Sequence, residues 1–138
     1  MKIVEVNSTN KSIINDSNRQ TIIDSFLNTN TNNQNDIHSC IIGIESDTIK
    51  NYALYTGMKD TRLVQMSIEN INNKIFLEQA VNYAFQNLDA YTVTIFTDKP
   101  NKLLETEGFE NLGSDNNIYT YIKDREIQKD VGRVRIWR

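Results

Sequence analysis

Hydrophobic and polar positions alternate from Thr61 to Glu69, with Val64, Met66 and Ile68 on one side and Leu63, Gln65 and Ser67 on the other. A period of two with one apolar side predicts a strand. The period then changes. Phe76, Leu77, Ala80, Val81, Ala84, Phe85 and Leu88 recur at steps of three and four, opposite Glu78, Gln79, Asn82 and Gln86. That spacing predicts an amphipathic helix whose apolar face lies on a sheet. The join from Glu69 to Lys74 carries the strand's end to the free backbone N–H groups of a helix N-terminus, where a phosphate or another anion is stabilised.

The rest of the chain is placed around this pair. Ile3, Val4 and Val6 predict a first strand, and Ile22/Ile23 with Phe26/Leu27 predict a short helix over 17–27, with Asp16 or Ser17 as N-cap. Residues 28–36, NTNTNNQND, have no apolar anchor, which predicts a mobile surface loop. Two strand-like runs follow, 38–46 and 50–58, with a turn around Asp47, and a second turn over 57–60 leads into the strand at Thr61. Such short joins predict an antiparallel meander. Beyond the long helix, 91–98 is another strand, and a strand–helix–strand connection implies that it runs parallel to 61–69 if the two are neighbours. Pro100 opens a short helix over 101–107 that stops at Gly108, and a hairpin of 109–112 and 118–123 closes the series.

Composition narrows the classes of function. The 138 residues fit one domain, and a formal net charge of −3 gives no general attraction to nucleic acid or an anionic membrane. Cys40 is the one cysteine, so no intrachain disulfide forms, and its place beside Ile42 and Ile44 marks it as a small buried residue. The start, MKIVEVN, has no sustained apolar run with a cleavage site, and no stretch approaches the ~20 apolar residues of a membrane span, so a cytoplasmic protein is expected. With one His and one Cys, no spaced metal-ligand set is present.

The order of elements and two local words resemble the GNAT N-acetyltransferase family over nearly the whole chain. KIFLEQAVNYA is similar to the family's long helix, and NKLLETEGFENLG to its closing helix, Gly-Phe and the start of its final hairpin. The resemblance implies an α/β (α+β) fold with a mixed, mostly antiparallel sheet of six to seven strands flanked by helices. It implies a single domain over 1–123 and a C-terminal extension over 124–138. It also implies acetyl-CoA as acyl donor. Strand 61–69 would hold the pantetheine at Met66, Ser67 and Ile68, and turn 70–75 the pyrophosphate at Ile71, Asn72, Asn73 and Lys74. Asn101 resembles an Asn that contacts coenzyme A early in the closing helix; the alternative is a cap after Pro100.

The departures from the family pattern bear on function. Its cofactor turn has Gln or Arg, two residues, Gly, one residue, then Gly or Ala; those positions here hold Ile68, Ile71 and Asn73. Ile71 is β-branched and disfavours positive φ, so the turn is expected to take another path. Asn72, Asn73 and Lys74 still offer donors and a positive charge, with helix capping as the alternative role for either Asn. Leu104 stands where many members carry a Tyr that protonates the departing thiolate. Glu69, Glu45 and His38 are candidate bases, and Tyr119 and Tyr121 either shape an acceptor pocket or are half-buried strand aromatics.

The resemblance ends after Lys123. In the tail, Val134 and Ile136 alternate with Arg133, Arg135 and Trp137, which predicts an added strand or a homodimer contact in preference to a basic contact with an acidic partner or nucleic acid. Two functions follow from the resemblance. One is acetyl transfer from acetyl-CoA to an amine by direct attack. The alternative is a noncatalytic ligand-sensing or protein-interaction module of the same fold.

Overall fold

The computed structural model describes residues 1–29 and 34–125. Seven strands form one sheet in the order β1-β2-β3-β4-β5-β7-β6. They are β1 (Lys2–Val6), β2 (Asp36–Glu45), β3 (Thr48–Met58), β4 (Leu63–Ile68), β5 (Thr92–Thr97), β6 (Glu110–Asp115) and β7 (Ile118–Asp124). Every neighbouring pair is antiparallel except β4 and β5, which are parallel and joined by the long helix α2 (Lys74–Asn87). The helix α1 (Ser17–Leu27) and the short α3 (Lys102–Thr106) complete the fold, with a single 3-10 turn at Lys11–Ile13 that the sequence pattern had not indicated.

The sheet buries different sets of residues on its two faces. On one, Ala53, Tyr55, Val64, Met66, Val93 and Ile95 meet Phe76, Leu77, Ala80, Val81 and Ala84 of α2. On the other, Cys40, Ile42 and Val6 pack with Ile14 and with Ile23 of α1. Gly43 sets how closely α2 can approach: a Cβ there would lie 2.8 Å from Cδ1 of the buried Phe76 ring. Both tight hairpins turn on two left-handed residues, Ser46–Asp47 and Asn116–Asn117, the turn geometry whose twist matches that of the paired strands.

Several expected boundaries shift. The last hairpin is longer than its alternation suggested, because β6 continues through Gly113, whose φ of +100° accommodates a bulge between Asn111 and Ser114. Asp124, expected to begin the extension, pairs with Thr92 as the last residue of β7, and Arg125 donates its backbone N–H to Tyr91 C=O at 2.6 Å. At the end of the Asn-rich segment, Asn35 is fastened to the β3–β4 turn, its C=O accepting from Lys59 N–H at 2.7 Å and its side chain from Asp60 N–H at 2.9 Å. The expected mobility of residues 30–33 and the roles expected for 126–138 lie outside the described residues. Among the described residues no helix is long and apolar enough to cross a membrane.

Candidate functional site

The parallel pair β4 and β5 stay in register only from Leu63↔Thr92 to Gln65↔Thr94. Beyond that the strands part. Met66 to Ile68 on β4 and Ile95 to Thr97 on β5 have no partner in each other, so a gap opens in the middle of the sheet. Strand alternation fixes which groups face it. Thr92 N–H donates to Arg62 C=O towards β5, while Glu69 N–H donates to Tyr52 C=O towards β3. The backbone N–H and C=O of Ile68 therefore turn into the gap, as does the C=O of Met66. The Met66 side chain is buried under α2, and Ser67 is exposed on the other face.

At the mouth of the gap, the chain turns from β4 into α2. Asn70 takes the left-handed conformation, with φ of 56°, and Asn73 N–H closes the turn on Asn70 C=O at 3.0 Å. Asn tolerates this region at small cost. Positive φ thus falls one residue before Ile71, whose side chain packs against the main core instead. Asn73 is the N-cap of α2: its side chain accepts from Phe76 N–H at 3.2 Å and donates to Asn51 Oδ1 at 2.9 Å. Its side chain thus takes up the capping role that was the alternative expected for it, and ties the cap to β3. Among the described residues, no hydrogen bond engages the backbone N–H of Ile71, Asn72, Lys74 or Ile75. The largely exposed Lys74 ammonium lies at the same helix start, where the helix dipole favours an anion. Lys74 Nζ is 4.0 Å from Glu107 Oε2, a long and weak pairing.

The opposite wall begins at Asn101. Its side chain caps α3, accepting from Leu104 N–H at 2.9 Å, and at the same time donates to Asn72 Oδ1 at 3.1 Å. One amide therefore caps α3 and also reaches the turn between β4 and α2. Tyr121 is fully buried, and its hydroxyl accepts from Asn101 N–H at 2.8 Å. It supports the start of α3 from below. Leu104 is also fully buried, so its side chain belongs to the core.

None of the candidate bases stands free in the gap. Glu69 accepts from Arg19 Nε at 2.9 Å, and this bond, with the neighbouring carboxylates, raises the Arg19 pKa. His38 is bound through Nε2 to Phe26 C=O at 2.6 Å and stacks on the Phe26 ring at 3.9 Å, which makes it a clasp between α1 and β2. Glu45 is exposed at the Ser46–Asp47 hairpin, two strands from β4. Cys40 is buried, and burial pushes its thiol up to about 12, far from a nucleophile's range. Among the described residues no cluster of His, Cys, Asp or Glu could hold a metal ion.

Sequence reasoning passed over Asn51, Asn70 and Arg19. Asn51 had a readable signal, because it shares its side of β3 with Ala53 and Tyr55, where an amide needs partners. Arg19 had none, since its partner Glu69 is 50 positions away.

No protein-family model and no curated protein matches the chain. Solved structures do. The N-acetyltransferase PseH of Campylobacter jejuni has a TM-score of 0.63 at 16% identity, covering 91% of this chain and 98% of that one, and its complex with acetyl coenzyme A has a TM-score of 0.62. Aminoglycoside 6'-acetyltransferase type Ii has a TM-score of 0.64 at 13% identity, covering 90% of this chain and 97% of that one. A variant of spermidine N-acetyltransferase SpeG from Vibrio cholerae has a TM-score of 0.61 at 9% identity, over 90% and 95% of the two chains. At these identities the likeness is one of fold.

Proposed function

From the GNAT N-acetyltransferase fold that this chain has, we propose that it is an acetyl-CoA-dependent N-acyltransferase. One observation carries this: the sheet opens after Gln65↔Thr94, with unengaged backbone groups of Met66 and Ile68 inside the gap and four unengaged N–H donors at its mouth. An extended amide chain ending in a pyrophosphate matches that series of donors and acceptors. Ile68 and Met66 would bond the pantetheine arm through the backbone. Ile71, Asn72, Lys74 and Ile75 would meet the pyrophosphate with N–H groups, and Lys74 would add its charge. The Ile71 side chain leaves room, because it is partly buried against the main core.

Bound acetyl-CoA supplies a thioester. An acceptor amine that has lost a proton forms the new C–N bond at the thioester carbon, the C–S bond breaks, and the thiolate takes up a proton. With Leu104 in the core and Glu69 held by Arg19, this chain contributes chiefly by orientation and water exclusion, which carry much of the barrier in such transfers. The acceptor is an amine of small-molecule or peptide origin.

A noncatalytic sensing or interaction module of the same fold is the second reading. It is favoured by the Asn101–Asn72 hydrogen bond, which ties the two walls together at the mouth. Thermal unfolding with millimolar acetyl-CoA, followed by a thiol-release assay over a panel of amines, separates the two. A raised Tm with thiol release supports the transferase. A raised Tm without release supports the module, and an unchanged Tm with both acetyl-CoA and adenosine 3',5'-bisphosphate overturns coenzyme A binding.

A further inference from the structure

Asn51 is the one polar residue among the described residues that is completely buried. It lies on β3 beneath the start of α2, opposite Gly43 of β2 where the strand register shifts. Its Nδ2 donates to Glu69 C=O at 2.9 Å, and its Oδ1 accepts from Asn73 Nδ2 at 2.9 Å. Glu69 leaves β4 and Asn73 caps α2, so one side chain on a third strand grips both ends of the turn.

The turn needs such a grip. It has no glycine, its left-handed residue is Asn70, and its single internal hydrogen bond runs from Asn73 N–H to Asn70 C=O. Nothing within that bond orients the N–H groups of Ile71, Asn72, Lys74 and Ile75 relative to the gap. Asn51 supplies the missing constraint. By fixing Asn73 Nδ2 it aims Asn73 Oδ1 at Phe76 N–H and so sets the direction of the helix start. By fixing Glu69 C=O it sets where the chain leaves the sheet. A buried amide with both ends satisfied costs little to keep and much to disturb, so it holds this geometry rigidly.

We infer that Asn51 is the positioning residue of the anion-binding turn, holding the four N–H donors in place for a pyrophosphate without touching it. The inference rests on the acetyl-CoA reading above and assigns a determinant of cofactor affinity to a residue outside the turn. It predicts a selective defect. Loss of the Asn51 link should weaken a ligand that carries the pyrophosphate and spare one that carries only the thioester and pantetheine arm.

The test compares acetyl-CoA with S-acetylpantetheine as ligands of the full chain, measured by titration and by rise in Tm. Asn51→Ala removes both bonds. Asn73→Ser keeps a capping oxygen for Phe76 N–H but removes the donor to Asn51, and being nearer the surface it decides the matter if the first variant does not fold. The expected result is a loss of about tenfold or more in acetyl-CoA affinity in both variants, with S-acetylpantetheine unchanged. Equal weakening of both ligands indicates general loss of structure and overturns the assignment, as does unchanged binding of acetyl-CoA. If the unaltered chain binds neither ligand, the acetyl-CoA reading falls, and this inference with it.

Discussion

Arg19 Nε donates to Glu69 Oε1 at 2.9 Å, binding the first turn of α1 to the residue that leaves β4 for the turn into α2. The same guanidinium reaches Asp16 Oδ2 at 2.8 Å and Lys50 C=O at 3.1 Å, so it joins α1, β3 and β4 at one point. Glu69 is thereby part of the frame around the gap.

The pair yields a stability prediction. Its side chains are 21% and 31% exposed, so solvent screening leaves part of the interaction in place. Arg19→Met should cost about 1 kcal/mol, and a double-mutant cycle with Glu69→Gln should give a coupling of about the same size. Urea unfolding of the four chains measures both. Zero coupling would mean that the ion pair contributes nothing.

The fold was more legible than the site. Alternation in 61–69, the three- and four-residue steps of α2 and the short polar turns identify strands and helices because burial of one face dictates them. The turn is different. Its shape depends on Asn70 accepting a positive φ and on Asn51 reaching it from β3 through hydrogen bonds between distant positions, and no local period records these. Likewise His38 and Glu69, which look available for proton transfer in sequence, are engaged by Phe26 and Arg19 only once the sheet has formed.

Leu104 offers a direct test of whether a tyrosine can be restored. The side chain is fully buried, so Leu104→Tyr adds a ring and a hydroxyl to a filled core. We expect a loss of about 1–3 kcal/mol in stability and no gain in thiol release. A stable variant with faster release would show that the position faces the gap.

Asn101 combines a cap and a bridge, which two substitutions separate. Asn101→Ser can still accept from Leu104 N–H but loses the donor to Asn72, whereas Asn101→Ala loses both. The alanine variant should be less stable than the serine variant by about 1 kcal/mol, the usual worth of a cap. Equal melting temperatures would show that capping of this short helix is unimportant.

Alkaline pH should destabilise the chain through its buried acids. Burial pushes the Cys40 thiol from an ordinary 9.0 to about 12, and it also raises Tyr55 and Tyr83 above their ordinary 10.0. The folded state therefore holds these protons more tightly than the unfolded state. Their contribution is fully present below pH 9 and is lost as pH rises towards the folded values. Urea midpoints measured from neutral pH to about 10.5 should fall above 9, and less steeply in Cys40→Ala. A thiol reagent should label Cys40 only in denaturant; rapid labelling of the native chain would contradict its burial.

Gly43 determines how near α2 lies to the sheet. A Cβ there would sit 2.7 Å from Met1 Sδ and 2.8 Å from Phe76 Cδ1. Met1 is the end of a flexible side chain and can move aside. Phe76 cannot move so easily, because its ring is fully buried and its backbone N–H is tied to the Asn73 cap. Relief would have to come from displacing the first turn of α2, and with it Asn73 and the turn. Gly43→Ala should therefore cost about 1–3 kcal/mol and disturb ligand binding at the turn together with stability. Phe76→Leu in the same chain removes the ring that the Cβ meets, so the double variant should be more stable than the sum of the two single losses predicts. Strict additivity in thermal or urea unfolding would show that the methyl group is absorbed elsewhere.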